Sequence, residues 1–162
     1  MSDERIKLLQ GMPVFGGIRE DTLKRLLEKS HTVNCNAGEY FLHQGDQATS
    51  MFVLESGQVD VVKTWEGKDY LVRTFGIGDS FGEMSLVDFF PRSASIRARD
   101  DCDALEITRS NLFELYGEDL EQFTIIQMNI GREISRRLRA LEEYVFQNDP
   151  GVPWPETNSA IS

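Results

Sequence analysis

The sequence predicts a mainly β protein, an antiparallel sandwich or barrel with helices on either side of it in the chain. Between Thr32 and Thr108, short apolar runs are separated by Gly, Asp and Ser turn signals. Turns every ~8–12 residues are the mark of such folds. Before this stretch, and again after Ser110, the apolar residues recur at three and four instead of two, the period of a helix lying on a core.

In chain order, Ile6, Leu8, Leu9 and Met12 open a helical face that Pro13 interrupts. From Arg19 to Ser30, Leu23, Leu26 and Leu27 share one side, with Asp21 a plausible N-cap. Strands are expected at Glu39–His43, Met51–Leu54, Gln58–Lys63, Asp69–Phe75, Ser95–Arg99 and Ala104–Thr108, each closed by a turn. The glycines Gly38, Gly45, Gly57, Gly67, Gly76 and Gly78 are read as turn residues. Ser110 is a candidate cap for a short helix. A long one follows from about Leu120, with Phe123, Ile126, Ile130, Ile134, Leu138, Leu141 and Val145 in one stripe. Such a stripe runs for about six turns. The arginines Arg132, Arg136, Arg137 and Arg139 on that helix read as a solvated face beside glutamates. The tail from Asn148, with Pro150, Gly151, Pro153, Trp154 and Pro155, reads as a flexible end.

Composition narrows the function classes. The chain has 162 residues and a net charge of −10, from 17 Lys+Arg against 27 Asp+Glu. That balance disfavours nucleic acid and anionic membranes as partners, and it requires a local positive site for any anionic ligand. No run of 18 apolar residues and no signal-peptide pattern are present, so a cytoplasmic protein is expected. Cys35 and Cys102 lack CxxC spacing and are expected to be reduced thiols. His31 and His43 are isolated, so no metal site and no catalytic nucleophile–base pair is expected.

One stretch carries chemistry. Phe81-Gly82-Glu83-Met84-Ser85-Leu86 places a turn glycine and a carboxylate at the start of a short helix. Nine residues after Glu83, Arg92 follows a proline and precedes the small Ser93 and Ala94. Each residue alone has an ordinary structural explanation. Together they favour an anion site, with the arginine fork suited to phosphate oxygens. A glutamate there makes sense if Arg92 offsets its charge and the carboxylate accepts from sugar hydroxyls.

This stretch, with Pro91-Arg92-Ser93-Ala94-Ser95-Ile96, resembles the phosphate-binding cassette of the cyclic nucleotide-binding domain, as in cAMP-dependent kinase regulatory subunits and the catabolite activator family. Pro13-Val14-Phe15, Gly45-Asp46, Val53-Leu54-Glu55-Ser56-Gly57-Gln58-Val59 and Gly78-Asp79 resemble further landmarks, so the likeness spans roughly residues 5 to 146. The resemblance implies an eight-stranded antiparallel jelly-roll barrel with N-terminal helices and a long C-terminal helix, over residues 1–147, with 148–162 as the tail. It implies that Arg92 pairs with the cyclic phosphate and Glu83 with the ribose 2′-hydroxyl, with Gly82, Met84, Ser93 and Ala94 completing the cradle. Val61, Val72 and Phe75 fall where relatives line the pocket, plain barrel core being the other reading. Leu141 and Glu142 stand where activator-type relatives present hydroxyls to the base, so the base stays open, with cAMP expected over cGMP on family frequency. Activator-type relatives carry a helix-turn-helix after the long helix, and none is expected in the proline-containing stretch that follows it here.

The expectation is therefore a non-catalytic cyclic nucleotide sensor. It would form a homodimer through part of the long helix and signal to an unidentified effector protein. A ligand-independent dimerisation or scaffold module is the alternative.

Overall fold

The computed structural model describes residues 3–151. Three helical pieces lead in: α1 (Asp3–Gln10), a 3-10 turn at Pro13–Phe15 and α2 (Glu20–Lys29). Eight strands follow: β1 (His31–Cys35), β2 (Tyr40–Leu42), β3 (Ser50–Ser56), β4 (Val59–Trp65), β5 (Lys68–Phe75), β6 (Ser80–Phe81), β7 (Ser95–Ala98) and β8 (Cys102–Thr108). A short helix, α3 (Met84–Asp88), separates β6 from β7, and α4 (Arg109–Glu118) and α5 (Leu120–Asn148) end the described chain. The strands form two four-stranded antiparallel sheets, ordered β1-β8-β3-β6 and β2-β7-β4-β5. This is the mainly β architecture with flanking helices that the turn spacing predicts.

The alternation of side chains across β3 and β8 builds two cores. Met51 and Val53 of β3, with Leu105 and Ile107 of β8, face a helical layer containing Ile6, Leu9, Leu23, Leu115, Ile126 and Ile130. Phe52, Leu54 and Ala104 face the other way, into the barrel, against Val59, Phe75, Phe81 and Ile96. A strand covered on both faces reads as a continuous apolar run, and β3 is buried from Ser50 to Leu54 for this reason. The interior aromatics stack: the Phe52 and Phe81 rings lie 5.2 Å apart. Cys35 and Cys102 are buried, free and opposite one another in the β1–β8 register.

Several local details differ from the sequence reading. The cap of α4 is Thr108, not Ser110. Its hydroxyl accepts from the Asn111 amide while the Asn111 side chain accepts from the Thr108 amide. Asp21 lies inside the first turn of α2, where it pairs with Arg19 and Arg25, and Arg19 occupies the N-cap position. Asn148 closes α5, and the rest of the expected tail, Trp154 included, lies outside the described residues from 152 on.

The start of α5 is fastened to the N-terminal segment at two points. The Gln122 side chain accepts from the Arg19 amide at 2.8 Å. The buried Asn129 side-chain amide donates to the carbonyls of Val14 (3.0 Å) and Gly16 (2.8 Å), tying α5 to the 3-10 turn. Asn129→Ala strands two carbonyls and is expected to lower unfolding stability in urea by about 2–4 kcal/mol. A loss below about 0.5 kcal/mol would show that water replaces the amide at no cost.

Candidate ligand site

The cassette between β6 and β7 buries two opposite charges that do not pair with each other. Arg92 is 7 % exposed. Its guanidinium donates to two backbone carbonyls, Gly82 at 2.8 Å and Ser50 at 2.7 Å, and makes no ion pair among the described residues. Burial without a carboxylate partner pulls its pKa below the usual arginine value, against the pull of Glu106, Asp46 and Glu83. Its backbone is held in place by the loop after β2. The Arg92 amide donates to the Asp46 carbonyl and its own carbonyl accepts from Gly45, both at 2.8 Å. A buried cation held by neutral dipoles is a strong anion receptor.

Gly82 is required by the same geometry. Its φ is +78°, and a Cβ there would stand 2.6 Å from the Arg92 Nη1. Only a glycine lets the backbone carbonyl reach the guanidinium at this point.

Glu83 is 3 % exposed and immediately precedes α3. Its Oε1 accepts from Arg137 of α5, whose other nitrogen donates to the Ser80 carbonyl at 2.6 Å. Its Oε2 is buried and accepts no hydrogen bond. Burial raises the Glu83 carboxyl above the ordinary glutamate range, an effect that the Arg137 charge offsets in part. The Arg137 guanidinium also lies 4.4 Å over the Phe75 ring and 3.6 Å from Glu133. Arg137 is thus the charge that offsets Glu83. On sequence alone that role falls to Arg92, and Arg137 reads as part of a solvated face; in the structure the Arg137 side chain is only 16 % exposed.

The signal for Arg137 was present in the spacing. Ile126, Ile130, Glu133 and Arg137 follow one another at four, three and four along α5, so they lie on one face. The face is apolar where it meets the helical core and charged where it meets the cassette.

The cyclic nucleotide-binding domain family matches residues 32–119. The chain belongs to the cyclic nucleotide-binding domain family. The domain that defines this family is a regulatory, non-catalytic one. The chain is 29 % identical over 109 residues to a cAMP-dependent protein kinase regulatory subunit of Emericella nidulans, covering 67 % of this chain and 26 % of that protein. It is 28 % identical over 132 residues to the Cyclic AMP receptor protein of Thermus thermophilus, covering 81 % of this chain and 59 % of that one. Both relatives are considerably longer than the matched region. A cyclic nucleotide-binding domain structure from Methylobacillus flagellatus superposes with a TM-score of 0.78 at 20 % identity, over 96 % of this chain and 86 % of that one.

Within this cyclic nucleotide-binding domain, Gly82, Glu83 and Arg92 converge at one place. Ser93 is exposed and its carbonyl accepts from Lys63 at 2.5 Å, while Ala94 is half-buried. Met84 is exposed at the first position of α3. Val61 is half-buried beside the barrel core, and Phe75 is buried beneath Arg137. Val72 stands at a bulge: β4 and β5 pair Val61 with Arg73 and then Val62 with Leu71, so Val72 is skipped and exposed. Leu141 and Glu142 are exposed one turn beyond Arg137. Among the described residues no group of three or more His, Cys, Asp or Glu is placed to hold a metal, and no helix is long and apolar enough to cross a membrane.

The raised Glu83 carboxyl gives a signed expectation. The folded protein holds that proton more tightly than the unfolded chain, so this stabilising contribution is full at low pH and is lost as pH rises through the raised value. Glu83→Gln does not titrate. In urea unfolding between about pH 4 and 7, wild type should gain stability relative to Glu83→Gln as pH falls, and parallel profiles would contradict this.

Proposed function

We propose that this chain is a cyclic nucleotide sensor that takes cAMP in preference to cGMP and passes the binding event to α5. Arg92 receives the cyclic phosphate and Glu83 receives the ribose 2′-hydroxyl. Gly82, Met84, Ser93 and Ala94 border the phosphate, and Val61, Val72 and Phe75 border the rest of the ligand. The single observation that carries the reading is the buried Arg92 guanidinium with carbonyl partners and no carboxylate. The Glu83 Oε2, buried and without a donor, supports the ribose assignment.

Preference for cAMP follows the two relatives described above, whose names refer to cAMP, while other relatives are cGMP-dependent protein kinases; no residue of the site argues it. The working unit is residues 1–147, in the cytoplasm, with an effector protein as the recipient of the signal. Leu138, Leu141 and Val145 extend the α5 stripe beyond its own core and are exposed. They support a homodimer seam along the second half of α5.

Isothermal titration of cAMP and cGMP against wild type, Arg92→Ala and Arg92→Lys tests the reading. Wild type should bind cAMP more tightly than cGMP. Arg92→Ala should lose at least about 100-fold in affinity, the cost of stripping a buried charge partner, and Arg92→Lys should lose less. Absence of binding to either nucleotide by folded wild type would favour the ligand-independent scaffold.

A further inference from the structure

A second cavity lies away from the cassette, between the 3-10 turn and α5. It is a half-open cleft of ≈ 580 Å³, with Met12, Pro13 and Ile125 as apolar walls, Asn129 as a buried polar one and the exposed Arg132 and Arg136 at its rim. The chain carries 27 acidic residues, yet none of them lines this cavity. Arg132 and Arg136 are four apart on α5, where like charges repel across ~5–6 Å. An oxyanion between them would turn that repulsion into attraction, since each guanidinium has five donors. The cation pair is partly preset. Arg132 donates to the Asn129 Oδ1 at 3.2 Å, and Asn129 is itself fixed by the Val14 and Gly16 carbonyls.

The cavity is wired to the ligand site by one carboxylate. Glu133 Oε2 accepts from Arg136 at 3.2 Å, while its Oε1 lies 3.6 Å from Arg137, which holds Glu83. We propose that this cavity is a second anion site, for a small oxyanion of the diphosphate class, and that it is coupled to the cassette through Glu133. An anion that captures Arg136 leaves Glu133 to Arg137. Arg137 then gives up Glu83 more readily, and Glu83 becomes available to a sugar hydroxyl. Anion binding and nucleotide binding therefore favour each other, and linkage makes the effect reciprocal. The coupling rests on the sensor reading above; the site itself does not.

The probe is inorganic pyrophosphate, titrated calorimetrically at fixed ionic strength into wild type and Arg132→Gln/Arg136→Gln. Wild type should bind it, and the double variant should bind at least about tenfold more weakly. No binding by wild type overturns the site, and so does equal binding by both proteins, which would mean an adventitious ion only or occupancy of Arg92. cAMP is then titrated with and without pyrophosphate. Affinity should rise about fivefold with pyrophosphate. Arg136→Gln alone should reproduce the rise and abolish the response, while Arg132→Gln should leave cAMP affinity without pyrophosphate unchanged. An unchanged or lowered cAMP affinity overturns the coupling. Failure of wild type to bind any cyclic nucleotide removes the sensor reading and the coupling together, and the pyrophosphate isotherm still decides the site.

Discussion

The structure around the cassette depends on the contact between Arg137 and Glu83, which are 54 residues apart in the chain. Glu83 is almost fully buried, and a carboxylate in that position is costly unless a cation stands beside it. Arg92, its neighbour in the cassette, makes no ion pair with Glu83: two of its five donors are turned to the Gly82 and Ser50 carbonyls instead. The compensating cation comes from α5. The second half of that helix is thereby placed by the electrostatics of the cassette, and any event that changes what Glu83 holds changes what holds α5.

The two halves of α5 rest on different physics. Up to Ile130 the helix is anchored by apolar burial and by the Gln122 and Asn129 hydrogen bonds to the N-terminal segment. From Glu133 on, its barrel face carries the Glu133–Arg137 pair, and Leu138, Leu141 and Val145 are exposed, with no core to fill among the described residues. A helix fixed at one end by packing and at the other by a replaceable ion pair suits differential affinity between two arrangements. Glu133 pairs with Arg136, which lines the second cavity, and with Arg137, which holds Glu83.

Much of the fold was legible because turn glycines and alternating apolar residues are local signals. The strands of the barrel announce themselves in this way, and the change from a period of two to one of 3.6 marks α5. Two strands escaped: β6 because it has only two residues, Ser80 and Phe81, and β1 (His31–Cys35) because only Cys35 of its five residues is buried, so it shows no apolar alternation. Thr108 was missed as a cap because its partner Asn111 replaces the usual Glu or Gln. In the site, Gly82, Glu83 and Arg92 stood out since they lie within one short stretch. Arg137 did not, because arginines on a helix are usually solvated and its partner is remote in sequence. Only its phase relative to Ile126 and Ile130 gave it away. Asn129 was hidden for the same reason: its partners are carbonyls, which no sequence displays.

The central claim is that occupancy of the cassette and the placement of the second half of α5 are linked. Hydrogen exchange of the full chain, with and without saturating cAMP, measures this most directly. The account predicts stronger protection at Gly82–Ser95 together with altered protection of α5 amides from Glu133 to Val145, while Gln122–Ile130 remains as it was. Protection gained in the cassette with no change anywhere along α5 would contradict it.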